Sequence, residues 1–314
     1  MFLGIDTSCY TSSLALLSKE GEMVDEKRKI LNVKTGECGL RQSEMVFQHT
    51  KNLPILFEEL FSNNSNQLLA ICASVKPRPL ENSYMPTFIV GTSFARSVTA
   101  VEKTNLYLTS HQENHIQAGL WSAGGPKAGC FIALHASGGT TDLLLVEKGE
   151  IGLTVKEIGT SIDLHAGQFV DRVGVELGLP FPCGRQLEYL ALTASEPASI
   201  PVAVDGLRVS FSGPLTATKK LIKQQVKKEN IAAGVQIALA KSFVKLLKNA
   251  CKWADSEEVL LVGGVSSNIF IRNFLIEKLG NENIKAFFPQ PQFCSDNAVG
   301  CAVEALHRWR QGVG

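Results

Sequence analysis

Apolar positions fall into short runs and helical stripes that alternate from the first residues on. Phe2-Leu3-Gly4-Ile5 closes on an acid, Asp6, a turn of small polar residues from Thr7 to Ser13 follows, and Leu14-Ala15-Leu16-Leu17 returns. That pattern predicts two strands joined by a tight turn, and Gly21-Glu22 turns the chain again. From Ser43 the period becomes helical, with Met45, Val46, His49, Leu53, Leu56 and Leu60 on one stripe. His49 on that stripe reads as a packed core residue, and Pro54 is expected to kink or restart the helix. Leu68 to Val75 reads as a strand, Lys76-Pro77-Arg78-Pro79 as a loop, and Phe88 to Val101 as a helix whose Gly91 and Ala95 permit close packing. Leu106 to Thr109 is a short strand. Ser110, with Glu113 three residues on, marks the start of a capped helix.

The second half repeats the first. Phe131 to Ala136 is apolar, Ser137-Gly138-Gly139-Thr140 is a small turn, and Leu143-Leu144-Leu145-Val146 returns to a Glu/Gly turn at Glu147-Gly149-Glu150. A duplicated strand-turn-strand unit argues for two lobes of like topology whose turns face a common cleft, the α/β layout of the actin–hexokinase–Hsp70 superfold. The expected division is residues 1–109 for the first lobe and 110–297 for the second, with a final helix over 298–314 returning to the first. Asp163, Gly167 and Asp171 recur at four-residue steps and read as one helical face, ended by the Gly/Pro loop Leu177 to Gly184. Val209 to Ser212 reads as a strand and a break. Ile231 to Trp253 is a strong amphipathic helix, and Glu258 to Val262 is a strand running through Gly263-Gly264 into a helix over Ile271 to Leu279.

Composition adds bounds. With 314 residues, 45% hydrophobic and 19% charged, the chain is long enough for two modest cores. A formal net charge of +1 supplies no global field toward nucleic acid or membrane. The concentrated basic run is Lys219, Lys220, Lys223, Lys227 and Lys228, which reads either as a solvated helix face or as an RNA- or partner-facing patch. Eight cysteines without a Cys-x-x-Cys pair read as buried free thiols of a reducing cytosol. No signal peptide and no membrane-spanning apolar run is expected.

Three places carry candidate chemistry. His111 and His115 stand four apart on one helical face, the spacing that lets two imidazoles share a metal ion; two unrelated histidines are the plain alternative. Gln112 stands where a zincin has its glutamate, so a peptidase finds no support. Asp296 reads as an N-cap of the last helix or as a third ligand. The Ser137-Gly138-Gly139 turn and the Gly263-Gly264 junction could each bring bare backbone to a phosphate.

In chain order, the motifs Gly-Ile-Asp-Thr-Ser-Cys, His-x-x-x-His, Ser-Gly-Gly-x-Thr, Asp-x-x-x-Gly-x-x-x-Asp, Pro-x-Gly, Phe-Ser-Gly, Gly-Gly-Val-x-x-Asn and Ser-Asp-Asn span nearly the whole chain. Together they resemble the tRNA adenosine threonylcarbamoyltransferases, once called glycoproteases. The resemblance implies the two-lobed fold and one Fe or Zn ion held by His111, His115 and Asp296. It implies an adenine nucleotide, threonylcarbamoyl-AMP or ATP/AMP, on Ala136, Ser137, Gly138, Gly139 and Thr140, with Asp171, Gly184 and Asn268 at ribose and base. It also implies tRNA as acceptor, helper proteins including a smaller paralogue and an ATPase, and a cytoplasmic location. The chain departs from the family pattern at Tyr10 and Thr11 in place of two acids, at the Lys76–Pro79 loop, at Thr140 in place of a histidine, at Gln168, and at Pro214-Leu215. The departures leave open a transferase, a transferase using another acceptor, and a non-catalytic metal- and nucleotide-binding module. A sugar or acid kinase on the same superfold would hold Mg in an oxygen shell, which the histidine pair does not offer.

Overall fold

The structure, a computed structural model, describes residues 1–33, 39–64 and 67–313. Cys38 lies outside the described residues. The first sheet is built from β1 (Phe2–Asp6), β2 (Thr11–Leu17) and β3 (Met23–Ile30) as an antiparallel meander. Helix α1 (Gln42–Phe61) leads to β4 (Ala70–Lys76), and α2 (Thr87–Glu102) leads to β5 (Asn105–Ser110). Both later strands run parallel to β1, giving the order β3-β2-β1-β4-β5. Helix α3 (His111–Ala123) then crosses to the second sheet.

There the plan recurs. β6 (Cys130–Ala136), β7 (Thr141–Gly149) and β8 (Gly152–Thr160) form the meander. α4 (Ala166–Glu176), α5 (Gly184–Ala191), the short ribbon β9 (Ala203–Asp205) and β10 (Arg208–Ser210), α6 (Ser212–Lys223) and α7 (Lys228–Ala254) follow. β11 (Glu258–Val262), α8 (Ile269–Gly280), β12 (Lys285–Phe287) and α9 (Val299–Arg310) complete the chain. The order β12-β11-β6-β7-β8 matches the first sheet strand for strand. This duplicated α/β plan is the actin–hexokinase–Hsp70 architecture expected from the repeat.

Strand alternation assigns the faces. On β1, Leu3 and Ile5 pack with Leu53, Leu56 and Leu60 of α1, while Phe2 faces Val299, Ala302 and Leu306 of α9. Gly4 shares the α9 face, and a Cβ there would overlap the carbonyl oxygen of Ala298, so only glycine lets α9 lie this close. On β6, Ile132 and Leu134 enter the large core around α7, and Phe131 and Ala133 meet Ile116 of α3. Full burial of a side chain such as Phe2 or Phe131 is worth about 1.5–3 kcal/mol.

Several expectations need correction. β3, β8, β9, β10 and β12 are strands that apolar runs did not mark fully; β3 reads MVDEKRKI, an edge strand too charged to show a period. α1 runs through Pro54, which sits on the exposed face, because its buried stripe outweighs the one missing hydrogen bond. Asp163 precedes α4 rather than sharing its face. α7 is long and apolar enough to cross a bilayer, yet most of it is buried in the second core. Among the described cysteines Cys130 is exposed, not buried.

Candidate metal and nucleotide site

The capping box expected at Ser110 forms. Ser110 Oγ accepts from Glu113 N at 3.2 Å, and Ser110 N donates to Glu113 Oε2 at 2.8 Å. The cap fixes where α3 begins, and so places His111 in its first turn and His115 one turn on. Asp296 arrives from the far end of the chain. It does not cap α9: Asn297 Oδ1 accepts from Val299 N instead, at 2.9 Å. Asn297 Nδ2 also donates to the carbonyls of Phe293 and Ser295, which locks the loop. Asn114 ties that loop to α3 by donating to the Asn297 carbonyl at 2.6 Å and accepting from Cys301 N at 2.8 Å.

The result is a triangle of ligand atoms. His115 Nε2 is 3.1 Å from His111 Nε2 and 3.3 Å from Asp296 Oδ1, and His111 Nε2 is 3.5 Å from Asp296 Oδ1. Atoms bound to one ion at ~2.1 Å stand roughly 3.0–3.4 Å apart, so the triangle has the size of three adjacent ligands. Behind it, His111 Nδ1 faces Asp6 Oδ1 at 3.3 Å, and Asp6 also accepts from Ser8 and Ser74. Asp6 is fully buried at the end of β1. A carboxylate on the far nitrogen fixes the imidazole's tautomer and orientation toward an ion.

The electrostatics agree. Burial disfavours the imidazolium of His111, but Asp6 and Asp296 outweigh that cost and raise its pKa to about 10. Burial alone would push Asp296 up, and the two histidines instead hold it far below the ordinary carboxylate range. Asp6 is likewise held low, chiefly by His111 against burial. Burial and the neighbouring His111 charge lower His115. A buried carboxylate, Asp6, and a partly exposed one, Asp296, facing imidazoles make a site whose charge a divalent cation would neutralise. The donor set, two nitrogens and an oxygen with room for more, fits Fe or Zn.

The other expected residues belong to the second half of the chain, each with its own contacts. Ser137 N donates to the Thr140 carbonyl at 2.8 Å, closing the glycine turn between β6 and β7. Gly167 at the start of α4 packs against it, where a Cβ would stand 2.6 Å from Ser137 O and from Gly138 N. Gly138, Gly139 and Gly264 are exposed, and a Cβ at any of them would meet open space. Gly263 has φ +92° and no room for a Cβ beside Ala136 O. Asp171 Oδ1 accepts from Cys183 N at 2.8 Å, which ties α4 to the turn entering α5 at Gly184; burial raises its pKa. Asn268 caps α8, accepting from Ile271 N at 2.9 Å and donating to Gln236 at 2.8 Å. Glu188 of α5 accepts from Ile269 N at 2.7 Å. Tyr10 of the first turn meets Phe181 edge to face at 5.8 Å.

The departures have structural roles. Gln168 Oε1 accepts from His165 N at 3.2 Å, the reciprocal half of a capping box. Pro214 lies in the first turn of α6, where it costs least, and Asp163 holds that turn through Phe211 N, Ser210 and Ser212. The rebuilt loop sends Arg78 across to the buried Asp142 of β7, at 2.9 Å, beside Gln112 at 3.1 Å. Two of the five clustered lysines are engaged, Lys219 with Glu176 and Lys228 with the Leu177 carbonyl. Asp6, Arg78, Asp142 and Glu188 escape the sequence reading because no local motif pairs residues so far apart.

The two five-stranded sheets of matching order define a two-lobed α/β fold of the actin–hexokinase–Hsp70 class. Structural neighbours share it at low identity. Full-length HypF in its phosphate- and nucleotide-bound form superposes with a TM-score of 0.61 at 12% identity, over 100% of this chain and 47% of that one. The activator of 2-hydroxyisocaproyl-CoA dehydratase from Clostridium difficile with bound ADPNP gives 0.56 at 14%, over 99% and 97%. Within that class, the chain belongs to the tRNA N6-adenosine threonylcarbamoyltransferase family, whose family model matches residues 34–303. A tRNA N6-adenosine threonylcarbamoyltransferase of Neorickettsia sennetsu is 30% identical, covering 99% of this chain and 94% of the relative. One from Carboxydothermus hydrogenoformans is 29% identical over 99% and 93%. The family is one of transferases, and the enzyme reading of the sequence stands with it.

Proposed function

We propose that the chain transfers a threonylcarbamoyl group from threonylcarbamoyl-AMP to the N6 amine of the adenosine beside the tRNA anticodon. The observation that carries the reading is the triangle of His111, His115 and Asp296, seated where α3 meets the loop before α9. His111, His115 and Asp296 would hold one Fe or Zn ion. A bound divalent ion supplies Lewis-acid polarisation of the carbamoyl carbonyl. The Ser137–Thr140 turn and the Gly263-Gly264 junction would present backbone to the adenylate phosphate, and Asp171, Gly184 and Asn268 would take ribose and base. Asp6 holds the His111 ring still, and Tyr10 of the first turn rests against Phe181 of the second half.

Losing two acids at Tyr10 and Thr11 removes any acid–base help they gave, a factor of about 10²–10⁴. Transfer is therefore slow, with helper proteins of the same pathway, the smaller paralogue and the ATPase, assisting in a reducing cytosol. The test is a single-turnover assay with labelled threonylcarbamoyl-AMP, unmodified tRNA and the helper proteins. Label on tRNA, lost in His111→Ala together with bound metal, supports the reading. The second reading, a binding module, draws on the structural reuse of the substituted positions. Adenylate that stays bound with no transfer to tRNA or water would favour it. Calorimetry finding no adenylate binding at all would refute both.

A further inference from the structure

The next-to-last residue of β6 is a histidine that the sequence reading left unassigned. Strand alternation puts His135 on the same face as Phe131 and Ala133, the face that meets α3. It is 2% exposed, and neither ring nitrogen has a hydrogen-bond partner. An imidazole buried with two unpaired nitrogens forfeits about 1–3 kcal/mol per group, so native structures rarely leave one without a function. Around this space Asp296 faces the two α3 histidines, Asp6 stands behind His111, and the Phe88 ring lies 6.1 Å from that of His111.

The ring positions suit shared ligation. His115 and His135 have centroids 4.6 Å apart, His111 and His115 4.4 Å, and His111 and His135 6.3 Å. An imidazole bound at ~2.1 Å sets its centroid roughly 3.2 Å from the ion, so adjacent rings stand about 4.5–5.2 Å apart and near-opposite ones about 6.3 Å. The three spacings are those of two adjacent pairs and one near-opposite pair around a single centre. We propose that His135 is a fourth ligand of the metal held by His111, His115 and Asp296, making a three-histidine, one-carboxylate centre. This rests on the metal reading of the proposed function. The ligand atoms of the other three already lie within 4.8 Å of one another and His135 stands outside that group, so its ring turns, at nearly unchanged centroid spacing, to bring a nitrogen to the ion. The near-opposite pair favours an ion of five or six coordination over a strictly tetrahedral one. Because Ser137 follows two residues on, the fourth ligand also couples the ion to the glycine turn.

The experiment loads wild-type protein, His135→Leu, His135→Gln and His111→Ala with Fe(II) or Zn(II) alone. It reads affinity by chelator competition and counts imidazoles by X-ray absorption. Three imidazoles in wild type and two in His135→Leu, with affinity down about 10-fold or more, support the proposal. Two imidazoles in wild type, with unchanged affinity in both His135 variants, overturn it while leaving the two-histidine centre standing. Failure of wild type to bind either ion overturns the metal reading and this one with it. The wild-type count decides the question even if His135→Leu fails to fold.

Discussion

Asp6→Asn isolates the carboxylate behind His111. The substitution keeps shape and an acceptor oxygen for the ring N–H but removes the charge 3.3 Å from Nδ1. At an effective dielectric of about 20, unit charges at that distance attract by roughly 5 kcal/mol before desolvation is subtracted. Asp6 is fully buried, so most of that attraction is offset by its own lost hydration. The same carboxylate favours both a proton on His111 and a divalent ion nearby, but the ion carries twice the charge and gains more. The net effect expected is metal binding weaker by about 10–100-fold, the usual consequence of removing such a partner, or about 1.4–2.7 kcal/mol. The assay is anaerobic chelator competition with Fe(II) and Zn(II), beside thermal unfolding of the metal-free protein. Equal affinity in wild type and Asp6→Asn, with only the metal-free stability changed, would refute the argument that Asp6 acts through His111.

Three more outcomes follow from packing and charge. Gly300→Ala drives a methyl into the Asn114 carbonyl, and since neither backbone can yield it should cost at least ~1–3 kcal/mol in denaturant unfolding and weaken metal binding by moving Asp296. Arg78→Ala leaves Asp142 buried against Gln112 and Thr160 only; a loss on the order of 2 kcal/mol is expected, largely restored by adding Asp142→Asn, and additive effects in that double-mutant cycle would show the pair is not coupled. Asp163 accepts from Ser210, Ser212, Phe211 N and Leu164 N, which together outweigh burial and lower its pKa from 3.8 to about 2. A depressed carboxylate stabilises the folded state above its unfolded pKa and loses that contribution as pH falls through the folded one, so stability should drop between about pH 4 and 2. Asp163→Asn should flatten that part of the acid-unfolding curve.

The sequence by itself determined the repeat, the capped helix and the ordered motifs. Strand and helix periods come from alternation and caps that act within a few residues, which is why β1, β6, α3 and the glycine turn were legible. Its errors have the same origin: β3 is a strand because β2 offers it hydrogen bonds, not because its charged residues prefer one. Sequence also placed His111 and His115 on one face, but left Asp296 between two roles. Only the tertiary structure decided that, because Asn297 takes the cap and Asn114 pins the loop to α3. The same is true of Asp6, last in β1, and His135, next to last in β6. Alternation aimed His135 at the α3 face, but what stood there depended on two sheets closing on one helix, a contact between residues far apart in the chain that no local pattern encodes.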